Sequence, residues 1–452
     1  MSRLKPLALL LSIFAAQVAG CSSDTSARPP DVILIAVDTL RADRLGCYGY
    51  GEGTSPNIDR FAADALVFEN ALSHGSDTLL SCAALVSGYL PHETRIIGRD
   101  DLPLEVPTLA ETLQSRGYET AAVISNYVLR DGQGFEQGFE TYDSEMGQHE
   151  LTRGFPERLA EFTTDRAIEI LAEERDRPLF LWVHYQDPHG PYTPPEMFVR
   201  GEAGGGGRAL PLNPDVSGRG GIPVYQQLEN RVNPRFYASR YDGEIRYTDD
   251  QFARLIRALE HQGMYEDAVI VFTADHGEGM GEHDYWFAHG EYLYQGQIHV
   301  PLIVRWGDRF GGRRAEFVQH VDVVPTILGL LGLPGADSLR GTDLFAESTS
   351  PRSIVSFAPA PSLDESKVSL VRDGMKVTYT PRHRAVQFHD LLEDPGEEAS
   401  LTGNSPQMDV AREMMTELQR VRVEDRLRIE PPEARTPTAE ELEKLKSLGY
   451  VR

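Results

Sequence analysis

The chain has 452 residues, 40% hydrophobic and 25% charged, a globular composition long enough for one large core and a smaller unit beside it. Its formal net charge of -25 at pH 7 excludes the broad basic footprint of a nucleic-acid binder. Three cysteines exclude a disulfide scaffold.

The N-terminus reads as an address. Arg3 and Lys5 precede an apolar run from Leu7 to Ala19, and Gly20-Cys21 follows. A basic start, a short apolar stretch and small residues before a cleavage point are the features of a secretory signal, and the run is too short for a membrane span. Val18-Ala19-Gly20-Cys21 resembles the bacterial lipobox. That resemblance implies a signal peptide over 1–21, lipidation of Cys21 and an exported lipoprotein held at the envelope membrane. Ser22 after the cysteine leans towards the outer membrane. Residues 22–30, rich in Ser, Thr, Arg and Pro, suit a tether. Whether the two remaining cysteines, Cys47 and Cys82, pair is open.

Asp31 to Val37 is a continuous β-branched run, as in a buried parallel strand. The spacing from Pro56 to Asn70 predicts a helix. Thr108 to Gly117 has a Thr start and a Gly stop, again a helix. Thr120–Ile124 is the next strand, 157–174 a helix and Leu179–His184 a strand. Residues 200–235, with Gly204 to Gly207 and several prolines, form a long surface insertion expected beside the pocket mouth. A helix over Arg240–Gln262, strands over Ala268–Thr273 and Val300–Val304, and a short helix over Val323–Leu331 follow. This alternation predicts an α/β fold: a large mixed, mostly parallel sheet sandwiched between helices, over 31–348. Four short runs (Ser353–Phe357, Val368–Arg372, Met375–Thr380, Ala385–Asp390) and a charged helix over 406–429 then predict a smaller C-terminal antiparallel sheet plus helix, within 349–452. The helix's charges are expected on a solvated face.

Polar clusters follow the apolar runs at Asp38-Thr39, Asp77-Thr78, Asp187-Pro188-His189 and Asp275-His276. Open α/β sheets bind ligands beyond the carboxyl ends of their strands. Two carboxylates converging there repel unless a cation joins them. Asp38, Asp275 and His276 are therefore candidate ligands of a divalent metal. Asp38 and Thr78 also suit helix N-caps, Thr78 for a helix from Leu79 to Val86.

Asp38-Thr39-Leu40-Arg41-Ala42-Asp43 with Gly46-Cys47-Tyr48-Gly49 and Pro56-Asn57-Ile58-Asp59 resembles the opening of the sulfatase family, in the alkaline phosphatase superfamily. Leu85 to His92, His184 to Tyr192, Asp275 to His289, Val300 to Ile303 and Asp322 to Thr326 resemble further blocks in the same order. The resemblance implies a metal-dependent hydrolase of sulfate or phosphate esters, with calcium, magnesium, manganese or zinc, acting on a sulfated or phosphorylated small molecule or glycan. In that family a Cys or Ser in a Cys/Ser-x-Pro-x-Arg pattern is oxidised to formylglycine. Here Thr78, Leu80 and Cys82 hold the three fixed positions. A threonine has a methyl on Cβ, so no formylglycine is expected, and Thr78 itself becomes the nucleophile. His189 and His289 are implied as donors to the anion or to the leaving oxygen. His184, Asp187 and His283 are implied substrate contacts, with Asp43 and Asp187 also as orienting groups. Thr39, in place of a second aspartate, removes one metal ligand and weakens the case for calcium. The alternatives are a phosphoryl or phosphoethanolamine-type transferase, which Thr78 favours, and an inactive binding lipoprotein, which Leu80 and Cys82 favour.

Overall fold

The computed structural model describes residues 28–94, 96, 106–201, 208–346, 352–359, 366–403 and 406–428. The signal segment with Cys21 and most of the 22–30 tether lie outside the described residues. Among the described residues, no helix is long and apolar enough to cross a membrane.

The first apolar run forms β1 (Val32–Val37), fully buried along its length. Then come α1 (Pro56–Ala63), β2 (Leu66–Leu72), α2 (Thr78–Ser87), α3 (Leu109–Ser115), β3 (Glu119–Ile124) and β4 (Thr141–Asp143). A short hairpin, β5 (Gln148–His149) and β6 (Pro156–Glu157), leads to α4 (Ala160–Leu171), β7 (Leu179–Tyr185), α5 (Pro234–His261) and β8 (Val269–Ala274). One turn of α6 (Gln295–Ile298), β9 (His299–Arg305), β10 (Gly312–Gln319) and α7 (Val323–Leu330) close the unit. Eight strands make one sheet in the order β10-β2-β9-β8-β1-β7-β3-β4. Only β9 runs against its neighbours. The sheet is therefore mixed and mostly parallel, as the alternation of elements predicted.

Two elements at one edge of the sheet differ from the sequence reading. The helix expected over 56–70 stops at Ala63, and 66–72 is strand. Its apolar residues Leu66, Val67 and Phe68 pair between β9 and β10, and this tertiary pairing overrides the local helical spacing. β10 escapes the sequence reading because its first residues, Arg313, Arg314 and Glu316 among them, are charged and lie largely exposed on the sheet edge. Charge on an edge strand blocks pairing with a further chain.

The four predicted short strands are β11 (Ile354–Phe357), β12 (Val368–Arg372), β13 (Met375–Thr380) and β14 (Ala385–Asp390), an antiparallel meander. It packs against α8 (Pro406–Arg428) through Val355, Leu370, Val377, Ala411, Met414 and Leu418. The helix's other face carries the charges. This sheet is stitched to the loop before α2, with Phe357 N donating to His74 O at 2.9 Å and Ser356 Oγ to Ser73 O at 2.7 Å.

A buried ion pair ties the same sheet to α6. Lys376 Nζ lies 2.8 Å from Glu397 Oε1 and also donates to Leu293 O, while Glu397 Oε2 accepts from Gln295 N at 2.6 Å. Removing one partner of a buried pair leaves the other charge without compensation. Lys376→Met is expected to destabilise the protein by about 3–5 kcal/mol in denaturant melts. A loss under about 1 kcal/mol would show the pair to be dispensable.

Candidate active site

β7, β1 and β8 run parallel and in register, with Val37 beside Tyr185 on one side and Ala274 on the other. The chain therefore leaves all three strands at one level. Asp38 N donates to Tyr185 O and Asp275 N to Val37 O, so the ladder itself fixes where the two carboxylates start. Thr39 is in the left-handed region, with φ 54°, which costs a β-branched residue strain. That strain is held by Tyr241 OH, which donates to Thr39 O at 2.7 Å, and by Thr39 N, which donates to Asp275 Oδ1 at 3.2 Å.

Asp275 Oδ1 also accepts from His276 N at 2.6 Å. Its Oδ2 lies 3.7 Å from His276 Nε2. His276 Nε2 is in turn 3.6 Å from Asp38 Oδ1 and 3.4 Å from Thr78 Oγ1. His276 Nδ1 is 2.8 Å from Gly277 O, which makes Nδ1 the protonated nitrogen and leaves Nε2 with a free lone pair. The turn behind His276 is tight: a Cβ on Gly277 would stand 2.1 Å from Gly296 O.

One oxygen of each of Asp38 and Asp275 and Nε2 of His276 lie within 4.8 Å of one another, all fully buried. Asp38 Oδ1 has no hydrogen-bond partner. Burial first, then the neighbouring Asp275, pushes the Asp38 carboxyl well above the usual carboxylate range. Burial opposes ionisation of Asp275 too, but His276 and His184 beside it hold its carboxyl down to about 2. Two carboxylates and one imidazole, all buried, with an unpartnered oxygen, fit a divalent cation.

Thr78 is the first residue of α2, and Asp77 is the N-cap, its Oδ1 accepting from Leu80 N at 3.0 Å. The cap reading of Thr78 is thus corrected: Asp77 takes that role, which leaves the Thr78 hydroxyl beside His276. Asp38 caps no helix either, since its Oδ2 accepts from Asn126 Nδ2 at 2.5 Å. Burial pushes the Asp77 carboxyl up to about 7.

His289 and His189 complete the cluster, with His289 4.6 Å from His276 and 5.1 Å from His189 between ring centres. Glu278, fully buried, holds His289 Nδ1 at 3.2 Å and accepts from Tyr192 OH at 2.9 Å. Burial works against protonation of His289, but the Glu278 carboxylate overrides it and raises the pKa. Burial, then His289, drives His189 the other way, well below the usual range, so it is neutral. The 200–235 insertion reaches the site through Tyr225, whose ring stacks on His189 and whose OH donates to Phe287 O at 2.9 Å.

Two predicted substrate contacts are not brought in. Asp187 turns its carboxylate to Ala160 N, at 2.8 Å, at the start of α4. An acceptor there satisfies an orphan N–H of the helix end. His283 sits in a left-handed turn, with φ 55°, which swings it onto Tyr294, at 3.6 Å between ring centres, and to Gly396 O. His184 is present, but behind Asp275 on β7, its Nε2 3.8 Å from Asp275 Oδ2. Asp43 pairs with the buried Arg41, which also donates to Glu278 O at 2.9 Å. Asn126 and Glu278 are site residues the sequence reading missed. Asn126 follows β3, so the strand-end rule reaches it; Glu278 lies three residues after Asp275. Cys47 and Cys82 are both free thiols, so the two do not pair.

Fold and site together define a hydrolase-type α/β protein with an acid–histidine cluster at the carboxyl edge of its sheet. The sulfatase family model matches residues 30–333. The chain belongs to the sulfatase family, and its class is that of the sulfuric ester hydrolases. It is 23% identical to the N-acetylglucosamine-6-O-sulfatase of Bacteroides thetaiotaomicron over 75% of each chain. It is 25% identical to the iduronate 2-sulfatase of Homo sapiens over 81% of this chain and 75% of that one. Among solved structures, a 2-O GAG sulfatase superposes with a TM-score of 0.71 at 22% identity, covering 88% of this chain and 93% of that one. A phosphonate monoester hydrolase of Agrobacterium radiobacter superposes with a TM-score of 0.69 at 20% identity, covering 88% and 96%.

Proposed function

We propose that this chain cleaves sulfate esters of a glycan at the cell envelope, with Thr78 as nucleophile and a divalent cation held by Asp38, Asp275 and His276. The observation that carries the reading is the buried group of two carboxylates and one imidazole with the Thr78 hydroxyl 3.4 Å from its histidine. When bound, the cation supplies Lewis-acid chemistry, drawing charge from the ester oxygens and lowering the pKa of a nearby hydroxyl. Thr78 Oγ1 gives up its proton to water and attacks sulfur in line; its O–S bond forms as the bond to the leaving oxygen breaks, and water returns a proton to Oγ1 when the ester is later hydrolysed. His289, with Nδ1 held by Glu278, gives its Nε2 proton to the leaving alcohol. Neutral His289 then takes a proton from water, which attacks the threonine ester and releases sulfate. His189, neutral and 5.1 Å from His289 between ring centres, binds an ester oxygen as a donor.

A sulfated sugar as substrate is supported by the sulfatases of N-acetylglucosamine and iduronate to which the chain is similar. The envelope address rests on the lipobox at Cys21. A second reading, cleavage or transfer of a phosphorus ester, is favoured by the native threonine hydroxyl at position 78 and by the likeness to a phosphonate monoester hydrolase. Turnover of an aryl sulfate against an aryl phosphate and a phosphonate monoester separates the two. Faster turnover of the sulfate is expected; turnover of phosphorus esters alone would replace the first reading by the second.

The acid role of His289 gives a signed pH prediction. Glu278 raises its pKa, so the proton-bearing form persists to higher pH and is lost as pH rises through that value. In Glu278→Gln burial prevails, and the alkaline limb of kcat is expected to move down by roughly 1–3 pH units. An unmoved limb would remove His289 as the acid.

A further inference from the structure

Asp275 serves a second group of side chains. Its Oδ2 lies 4.0 Å from Cys82 Sγ and 3.8 Å from His184 Nε2. One ligand atom from each of the three lies within 4.8 Å of the other two, and all three residues are fully buried. Neither ring nitrogen of His184 has a hydrogen-bond partner. A buried imidazole with no hydrogen bond of ordinary length at either nitrogen, its Nε2 only facing Asp275 Oδ2 at 3.8 Å, costs free energy unless something occupies its lone pair.

The three donors come from three elements that the sheet holds rigidly. His184 is the penultimate residue of β7, Asp275 follows β8, and Cys82 lies on α2 four residues after Thr78, on the same helix face. Thiolate, imidazole and carboxylate at bond lengths of about 2.0–2.3 Å from one tetrahedral ion stand roughly 3.3–3.7 Å apart. The two separations from Asp275 Oδ2, 4.0 Å to Cys82 Sγ and 3.8 Å to His184 Nε2, need to close by about half an ångström. The set is softer than that of Asp38, Asp275 and His276, because a thiolate replaces a carboxylate.

We infer that Cys82, His184 and Asp275 form a second cation site for a zinc-like ion, sharing Asp275 with the first. It goes beyond the function proposed above and has only Asp275 in common with it. Binding replaces the thiol proton by a divalent ion, so the group changes by one net positive charge beside Thr78. That charge meets an anionic ester at the helix position where the sulfatase pattern has an arginine and this chain has Cys82. Three protein ligands leave a fourth tetrahedral position open, as in sites that bind water or substrate.

The test is cobalt(II) reconstitution of chelator-stripped protein, read by bound metal and by sulfur-to-cobalt charge-transfer absorption in the near ultraviolet. Wild type is expected to take up about two equivalents and to show the sulfur band. Cys82→Ala is expected to bind about one equivalent and to lose the band, with Cys82→Ser as its counterpart of similar size. Asp38→Asn is expected to lose one equivalent and keep the band. Wild type without a sulfur band, or Cys82 variants that bind as much cobalt as wild type, would overturn the second site. Asp38→Asn that loses no cobalt while the band persists would instead remove the first site and leave the second standing. Circular dichroism of each variant confirms that it is folded.

Discussion

Thr78→Ala is expected to lower ester turnover by about 10⁴-fold or more while leaving the metal content unchanged. The hydroxyl is the atom that bonds to sulfur, whereas the cation is held by Asp38, Asp275 and His276. The substitution removes a hydroxyl and a methyl at the first turn of a helix whose cap is Asp77, so the helix keeps its start. Thr78→Ser retains the hydroxyl and is expected to stay within about 10²-fold of wild type. This split separates the nucleophile from a packing role. If alanine and serine variants are equally impaired, the methyl and not the hydroxyl matters. If alanine is as active as wild type, attack comes from elsewhere.

Asp275→Asn is the second large effect, and it acts through the cation. Asp275 accepts from Thr39 N and His276 N through one oxygen and faces His276, His184 and Cys82 with the other. The amide is isosteric but neutral, so the pocket loses the carboxylate common to every ligand group in it. Metal binding and turnover are expected to fall together, turnover by on the order of 10³-fold or more. A stability readout accompanies this loss. A ligand present at about 100 times its Kd stabilises the folded state by about 2.7 kcal/mol. Added metal is therefore expected to raise the unfolding temperature of wild type and to leave that of Asp275→Asn unchanged. A variant that still responds to metal would place the cation on other residues.

The strands were legible because β1 is an unbroken apolar run and β3, β7, β8 and β9 are mostly apolar, and such runs belong to strands buried on both faces. The strand-end rule then placed Asp38, Asp275 and His276 together, since parallel strands in register deliver their next residues to one edge. It failed where a residue's neighbours along the chain say nothing about its direction. Asp187 stands two residues before His189, but its carboxylate serves the start of α4. His283 lies in the same block as His289, but a left-handed backbone turn carries it to Tyr294. Asn126 was within reach of the rule, since it follows β3, but its role as a donor to Asp38 across 88 residues of sequence comes from the sheet order. β2 was misread because the helical spacing of 56–63 continues through residues that long-range pairing then claims.

Metal content of the purified protein, wild type beside Asp275→Asn, followed by aryl sulfate turnover with the metal found, tests the metal-dependent ester chemistry most directly. Stoichiometric metal in wild type, its loss in the variant and sulfate release that follows the metal are the expected results. Sulfate release at full rate from metal-free wild type, or equal metal and activity in Asp275→Asn, would contradict a cation held by Asp38, Asp275 and His276.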